Sequence, residues 1–144
     1  MIEQDTIKLL RECDAGVKMG VASIDDVLGS VHAQALRERL VQCREEHRAL
    51  DSDLQVMLDR YRDEGKDPAP MARQMSWVKT NVKLAFEGSD HSIADLITDG
   101  CNMGVKSLSR YLNEYKAADE RSKDIAKKLI QQEAQLAIDI RPYL

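Results

Sequence analysis

Four polar residues interrupt stripes that are otherwise apolar: Asp14, His47, Thr98 and Glu133. Burying a charged group without a partner is costly, so side chains at such positions must find one another or something else. Two carboxylates and an imidazole are also a ligand set. Asp14, His47 and Glu133 could hold a single metal ion such as iron, zinc or manganese, with Thr98 or water as the fourth group. The same residues could instead form a satisfied network that takes no cofactor, with a protonated His47 bridging the two carboxylates. Both readings require the side chains to share one level. Asp14 precedes the first turn by about as many residues as His47 follows it, and Thr98 and Glu133 bracket the second turn similarly. That symmetry predicts one shared cross-section.

The elements that must position them can be read from hydrophobic period. Over 4–28, Ile7, Leu10, Asp14, Val17, Val21, Ile24 and Leu28 recur at spacings of three and four, the mark of a helix with one buried face. Gly29 and Ser30 break it. Over 33–64 a second seam runs through Leu36, Leu40, Cys43, His47, Leu50, Leu54, Met57 and Tyr61, with Gly65 as its stop. Pro68 and Pro70 make 66–70 a non-helical linker. A shorter helix over 71–86 carries Met71, Met75, Val78, Val82 and Ala85 on one side and ends at Gly88. Ser92 and Asp95 read as a capping box that opens a helix running to Tyr115, with Ala94, Thr98, Cys101, Val105, Leu108 and Leu112 on its stripe. The last helix, over 118–140, aligns Ser122, Ala126, Leu129, Glu133, Leu136 and Ile140, followed by Tyr143.

The chain also repeats itself. Gly16, Met19, Gly20, Val21 and Ser23 recur as Gly100, Met103, Gly104, Val105 and Ser107, an offset of 84. Leu50, Asp53 and Leu54 recur as Leu136, Asp139 and Ile140, an offset of 86. Asp14 then corresponds to Thr98, and His47 to Glu133. A repeat of this length predicts two similar helical hairpins, 5–64 and 92–143, joined by a crossover over 65–91 in one all-α domain, 1–144. For the third long helix to repeat the first, the crossover must travel the length of the bundle. A 16-residue helix spans roughly 24 Å and ten extended residues roughly 33 Å, which suffices. Interior glycines cost about 1 kcal/mol each against Ala. Gly16, Gly20, Gly100 and Gly104 therefore predict close approach of a helix or side chain; no strand precedes them to suggest a phosphate loop.

Three segments carry a family resemblance: Leu10, Arg11, Glu12, Cys13, Asp14, Ala15 and Gly16; the stretch 76–83 around Trp77; and 95–111. Together they resemble a ferritin-like family of bacterial proteins whose function is unassigned, and the resemblance covers most of the chain. It implies a ferritin-like four-helix bundle with one long crossover. It brings no activity with it. Di-iron members of that superfamily carry Glu-x-x-His on two helices. Here Arg44 stands three residues before His47, Ile130 stands three before Glu133, and no Glu-x-x-His occurs anywhere. The expectation is thus a non-catalytic bundle with a degenerate polar core site, acting through assembly or a partner. The alternative is a metal-binding, oxidoreductase-type descendant that uses Asp14, His47 and Glu133.

Composition bounds the rest. With 43% hydrophobic and 32% charged residues, few aromatics, 3 Pro and 7 Gly, the chain suits a helical protein with an aliphatic core. A net charge of −4 with no basic block argues against nucleic acid as a partner. No apolar run reaches the roughly 18 residues that span a bilayer, and the first residues lack the basic-then-apolar order of a signal peptide. Cys13, Cys43 and Cys101 are odd in number and lack ligand spacing, so reduced thiols in a cytoplasmic protein are expected. No Ser-His-Asp or Cys-His arrangement is apparent. His32 and His91 read as solvated, Trp77 as the anchor of the crossover helix, and the methionines as gap-fillers. Leu9, Val27, Val41 and Ile125 lie off the stripes and suggest an outward apolar face for a homodimer or another protein partner.

Overall fold

Four long helices dominate the computed structural model, which describes residues 2–66 and 89–144. They are α1 (Ile2–Leu28), α2 (Gln34–Arg60), α3 (Asp90–Glu114) and α4 (Glu120–Asp139), followed by a single 3-10 turn, Arg141–Tyr143. No strand occurs among the described residues. The helix expected over 71–86, with Trp77 and the two linker prolines, lies outside them. The principal packing pairs are α1 with α2, α3 with α4, α2 with α4, and α1 with both α3 and α4, so the chain is an all-α four-helix bundle.

Side-chain caps fix the two ends. At one end, the turn into α2 has Ala33 at the N-cap, which supplies no side-chain acceptor. Asp90, at the start of α3, supplies it instead: its carboxylate accepts from the His32 and Ala33 amides at 2.8 and 2.9 Å. At the other end, the α3–α4 turn is pinned to α1. Asp5 accepts from the Ala117 amide at 3.0 Å and Thr6 from the Asp119 amide at 2.8 Å. Tyr61, which closes α2, donates to Asp119 at that same end. The chain therefore leaves α2 at one end of the bundle and starts α3 at the other.

Helix ends differ from the sequence reading for local reasons. α2 stops at Arg60, short of Gly65, because a Schellman cap closes it: Asp63 N–H donates to Leu58 C=O at 2.9 Å and Arg62 N–H to Asp59 C=O at 3.0 Å. Arg62 takes the left-handed position, with φ 54°. α3 starts three residues early because Ser89, not Ser92, is the cap, accepting from the Ser92 amide at 3.1 Å. Asp119 caps α4 in the same way, accepting from Ser122 at 2.8 Å.

Two apolar clusters fill the interior. One gathers Leu9, Leu10, Cys13, Val17, Leu50, Leu54, Met57, Leu58, Leu108, Ile125 and Leu129. The other gathers Ile24, Val27, Leu36, Leu40, Cys43, Ile93, Ile97, Cys101, Leu136 and Ile140. Leu9, Val27 and Ile125 are thus core residues, and the outward apolar face read from them is corrected. α1 packs against three helices, so its buried face is wider than one seam and takes in positions beside it.

Candidate functional site

Between the two apolar clusters lies a polar layer. It takes one position from each helix: Gly20 of α1, His47 of α2, Gly104 of α3 and Glu133 of α4. His47 and Glu133 are 1% and 8% exposed. His47 Nε2 lies 3.7 Å from Glu133 Oε1. The glycines make the space. A Cβ on Gly20 would meet His47 Cδ2 at 2.7 Å and Nε2 at 2.8 Å, and would stand 3.9 Å from Glu133 Oε1. A Cβ on Gly104 would fall on the Glu133 carboxylate. Gly20 corresponds to Gly104 at offset 84, and His47 to Glu133 at offset 86. Each hairpin thus contributes one large polar side chain and the notch that receives it.

Electrostatics couples the pair. Burial alone would lower the His47 pKa, but the contacts with Cys43 and Glu133 outweigh it and push the imidazole up to about 10. Burial raises Glu133 from its ordinary value, and His47 opposes that rise. We take His47 as imidazolium and Glu133 as carboxylate near neutral pH, because among the described residues each is the other's only counter-charge in contact. Glu133 Oε2 is buried without a hydrogen-bond partner, which is the physical reason its charge is disfavoured. Cys43 Sγ lies 3.7 Å from the other imidazole nitrogen, Nδ1. The Cys101 thiol is pushed up by burial first and then by the Glu133 and Cys43 charges. Cys13 is pushed up to about 12, chiefly by burial and then by Glu12 and Asp14. Such thiols are poor nucleophiles.

Asp14 and Thr98 do not join the layer, and the expectation of a shared cross-section is corrected. Asp14 is fully buried, but its carboxylate accepts from Gln55 Nε2 at 3.1 Å, Lys18 Nζ at 2.8 Å and the Lys66 amide at 3.2 Å. Gly20 lies six residues further along α1, about 9 Å up the axis. Thr98 stands in the same relation to Gly104, and its buried Oγ1 has no hydrogen-bond partner. The reason is the lean of helical side chains. Every Cα–Cβ bond tilts toward its own helix N-terminus. In antiparallel neighbours the tilts oppose, so Asp14 leans away from the α1–α2 turn while His47 leans toward it. Residues counted equally from a turn therefore diverge. Asp14, His47 and Glu133 do not fit a three-ligand metal centre, and among the described residues no three His, Cys, Asp or Glu groups are gathered as metal ligands.

Gly20, Gly104 and Cys43 complete the layer in place of Asp14 and Thr98. Their signal was present: the glycines recur at the repeat offset inside helices, and Cys43 lies one turn before His47. No family model, curated protein or solved structure matches the chain. No helix among the described residues is long and apolar enough to cross a membrane.

Proposed function

We propose that this chain is a ferritin-like bundle that acts through assembly or a partner, not through catalysis, and that its polar layer is the degenerate form of a metal-centred one. The observation that carries this reading is the neutralisation of the layer from within. One cation, His47, faces one anion, Glu133, at 3.7 Å. The third candidate, Asp14, is committed to Lys18, Gln55 and the Lys66 amide. A metal would have to displace those contacts or bind without Asp14. Buried, unpaired thiols at Cys13, Cys43 and Cys101 fit a reducing compartment such as the cytoplasm.

One feature favours the second reading, a metal-binding oxidoreductase-type protein. Glu133 Oε2 is buried without a hydrogen-bond partner, and Cys101 lies within electrostatic reach of it. Elemental analysis separates the two. Protein expressed in iron-rich medium, alongside an Asp14→Ala/Glu133→Ala control, is expected to carry no more metal than the control. One ion per chain, lost in the double variant, would overturn the first reading in favour of the second. Light scattering on the same samples reads assembly directly.

A further inference from the structure

Three polar residues of the α1 motif, Arg11, Glu12 and Asp14, take no part in the His47–Glu133 layer. All three hold the chain where it leaves α2. Arg11 forms a two-pronged pair with Asp63, Nε to Oδ1 at 3.1 Å and NH2 to Oδ2 at 2.6 Å. Glu12 accepts from Lys66 Nζ at 2.6 Å. Asp14 accepts from the Lys66 amide at 3.2 Å, and Asp63 accepts from the Gly65 amide at 2.8 Å. Gly65 is required twice over: its φ is +83°, and a Cβ there would collide with Asp14 Oδ2.

We propose that Arg11, Glu12 and Asp14 form a polar latch on residues 63–66, which opens as a unit of its own before the helices do, and opens more readily in acid. The sequence of 62–66 is Arg62, Asp63, Glu64, Gly65, Lys66, with no apolar side chain to bury. The hydrophobic effect that holds the helices does not hold this stretch. Its ion pairs are partly exposed, with Arg11 at 47% and Lys66 at 36%, and such pairs contribute little each. Segments with few apolar contacts open at low free energy. Opening also strands nothing: Asp14 loses the Lys66 amide but keeps Lys18 and Gln55.

The acid dependence follows from who accepts. The facing groups are Lys8, Arg11, Glu12, Asp14 and Lys18 from α1, Gln55 from α2, Asp63 and Lys66 from the latched chain, and Tyr111 and Tyr115 from α3. Every acceptor in the latch is a carboxylate. The Arg11 guanidinium, then the Gly65 amide, hold Asp63 below its ordinary value against the effect of burial. A carboxylate depressed in the folded state stabilises the closed latch above its unfolded pKa of about 3.9, and that contribution is lost as pH falls further.

Amide exchange by NMR tests the latch, with protection factors corrected for intrinsic rates. In the wild type at pH 7 the Gly65 and Lys66 amides should be protected, yet at least tenfold less than Leu54 and Leu129. Asp14→Ala should lower Lys66 protection a further tenfold and leave Leu54 and Leu129 unchanged. Asp63→Asn, at a less buried site, should do the same for Gly65 and serves if Asp14→Ala does not fold. Lowering the pH from 5 to 2.5, through and below the unfolded carboxylate range, should lower protection at both amides alone. Exchange of Lys66 at the rate of an unstructured peptide in the wild type would overturn the latch. Exchange in step with the core in every variant would overturn its independence.

Discussion

At the scale of single residues, the two notched glycines decide more than any ionisable group. Gly20 and Gly104 forgo the helix propensity that Ala would add, about 1 kcal/mol each. In return they admit the His47 ring and the Glu133 carboxylate between the helices. Gly20→Ala and Gly104→Ala should each destabilise by about 1–3 kcal/mol, because overpacking against a fixed buried group outweighs propensity. Gly100→Ala meets nothing within 4 Å and should stabilise by about 0.5–1 kcal/mol. Urea denaturation of the three variants gives the signs directly; a stabilising Gly104→Ala would mean that the carboxylate sits elsewhere. The pair these notches receive should behave as a unit. His47→Leu leaves a buried carboxylate without its cation and should cost about 3–5 kcal/mol, whereas His47→Leu/Glu133→Leu should recover much of it. A double variant no more stable than the single one would show that the two groups are not coupled.

At the scale of elements, the repeat appears as equivalent burial. Leu50 and Leu136 are 5% and 2% exposed, and Leu54 and Ile140 are fully buried. Leu50→Ala and Leu136→Ala should therefore destabilise by similar amounts, about 2–5 kcal/mol each, in chemical denaturation. A near-zero value for one would break the equivalence of the hairpins. The α2 seam was legible almost residue by residue, from Leu36 to Met57. α2 has two main packing partners, and a narrow interface produces a narrow stripe. α1 was less legible. It packs against three helices, so Thr6, Leu9, Cys13 and Val27 are buried beside the stripe, and a single period does not describe so wide a face.

At the scale of the whole molecule, the polar layer divides the apolar interior in two, and its charge should set the response to pH. His47 has a folded pKa of about 10 against about 6.5 unfolded. Its contribution is fully present below pH 6.5 and is lost as pH rises toward 10. Stability should decline across that window with a slope of at most about 1.4 kcal/mol per pH unit. Glu133 runs the same way: burial raises it in the folded state, so the fold takes its proton more readily than the unfolded chain does, and this carboxyl does not drive acid unfolding. Urea midpoints of wild type and His47→Leu between pH 6 and 10 check this. An equally steep decline in the variant would assign the effect to another group.

By itself the sequence determined the all-α architecture, the four long helices, the two-hairpin repeat and two of the polar layer's members. Those properties depend on period and punctuation, which are local. Which residues meet in the layer was decided by tertiary structure alone. Asp14 and His47 count equally from their turn, yet antiparallel helices tilt their side chains in opposite directions, and the two take different partners. The same geometry turned Gly20 and Gly104 from puzzling helix-weakening residues into the walls of the site. It also gave Asp14 a different task, holding a chain segment that begins 49 residues later, at Asp63. Register between helices depends on side-chain direction in three dimensions, and a one-dimensional pattern does not carry it.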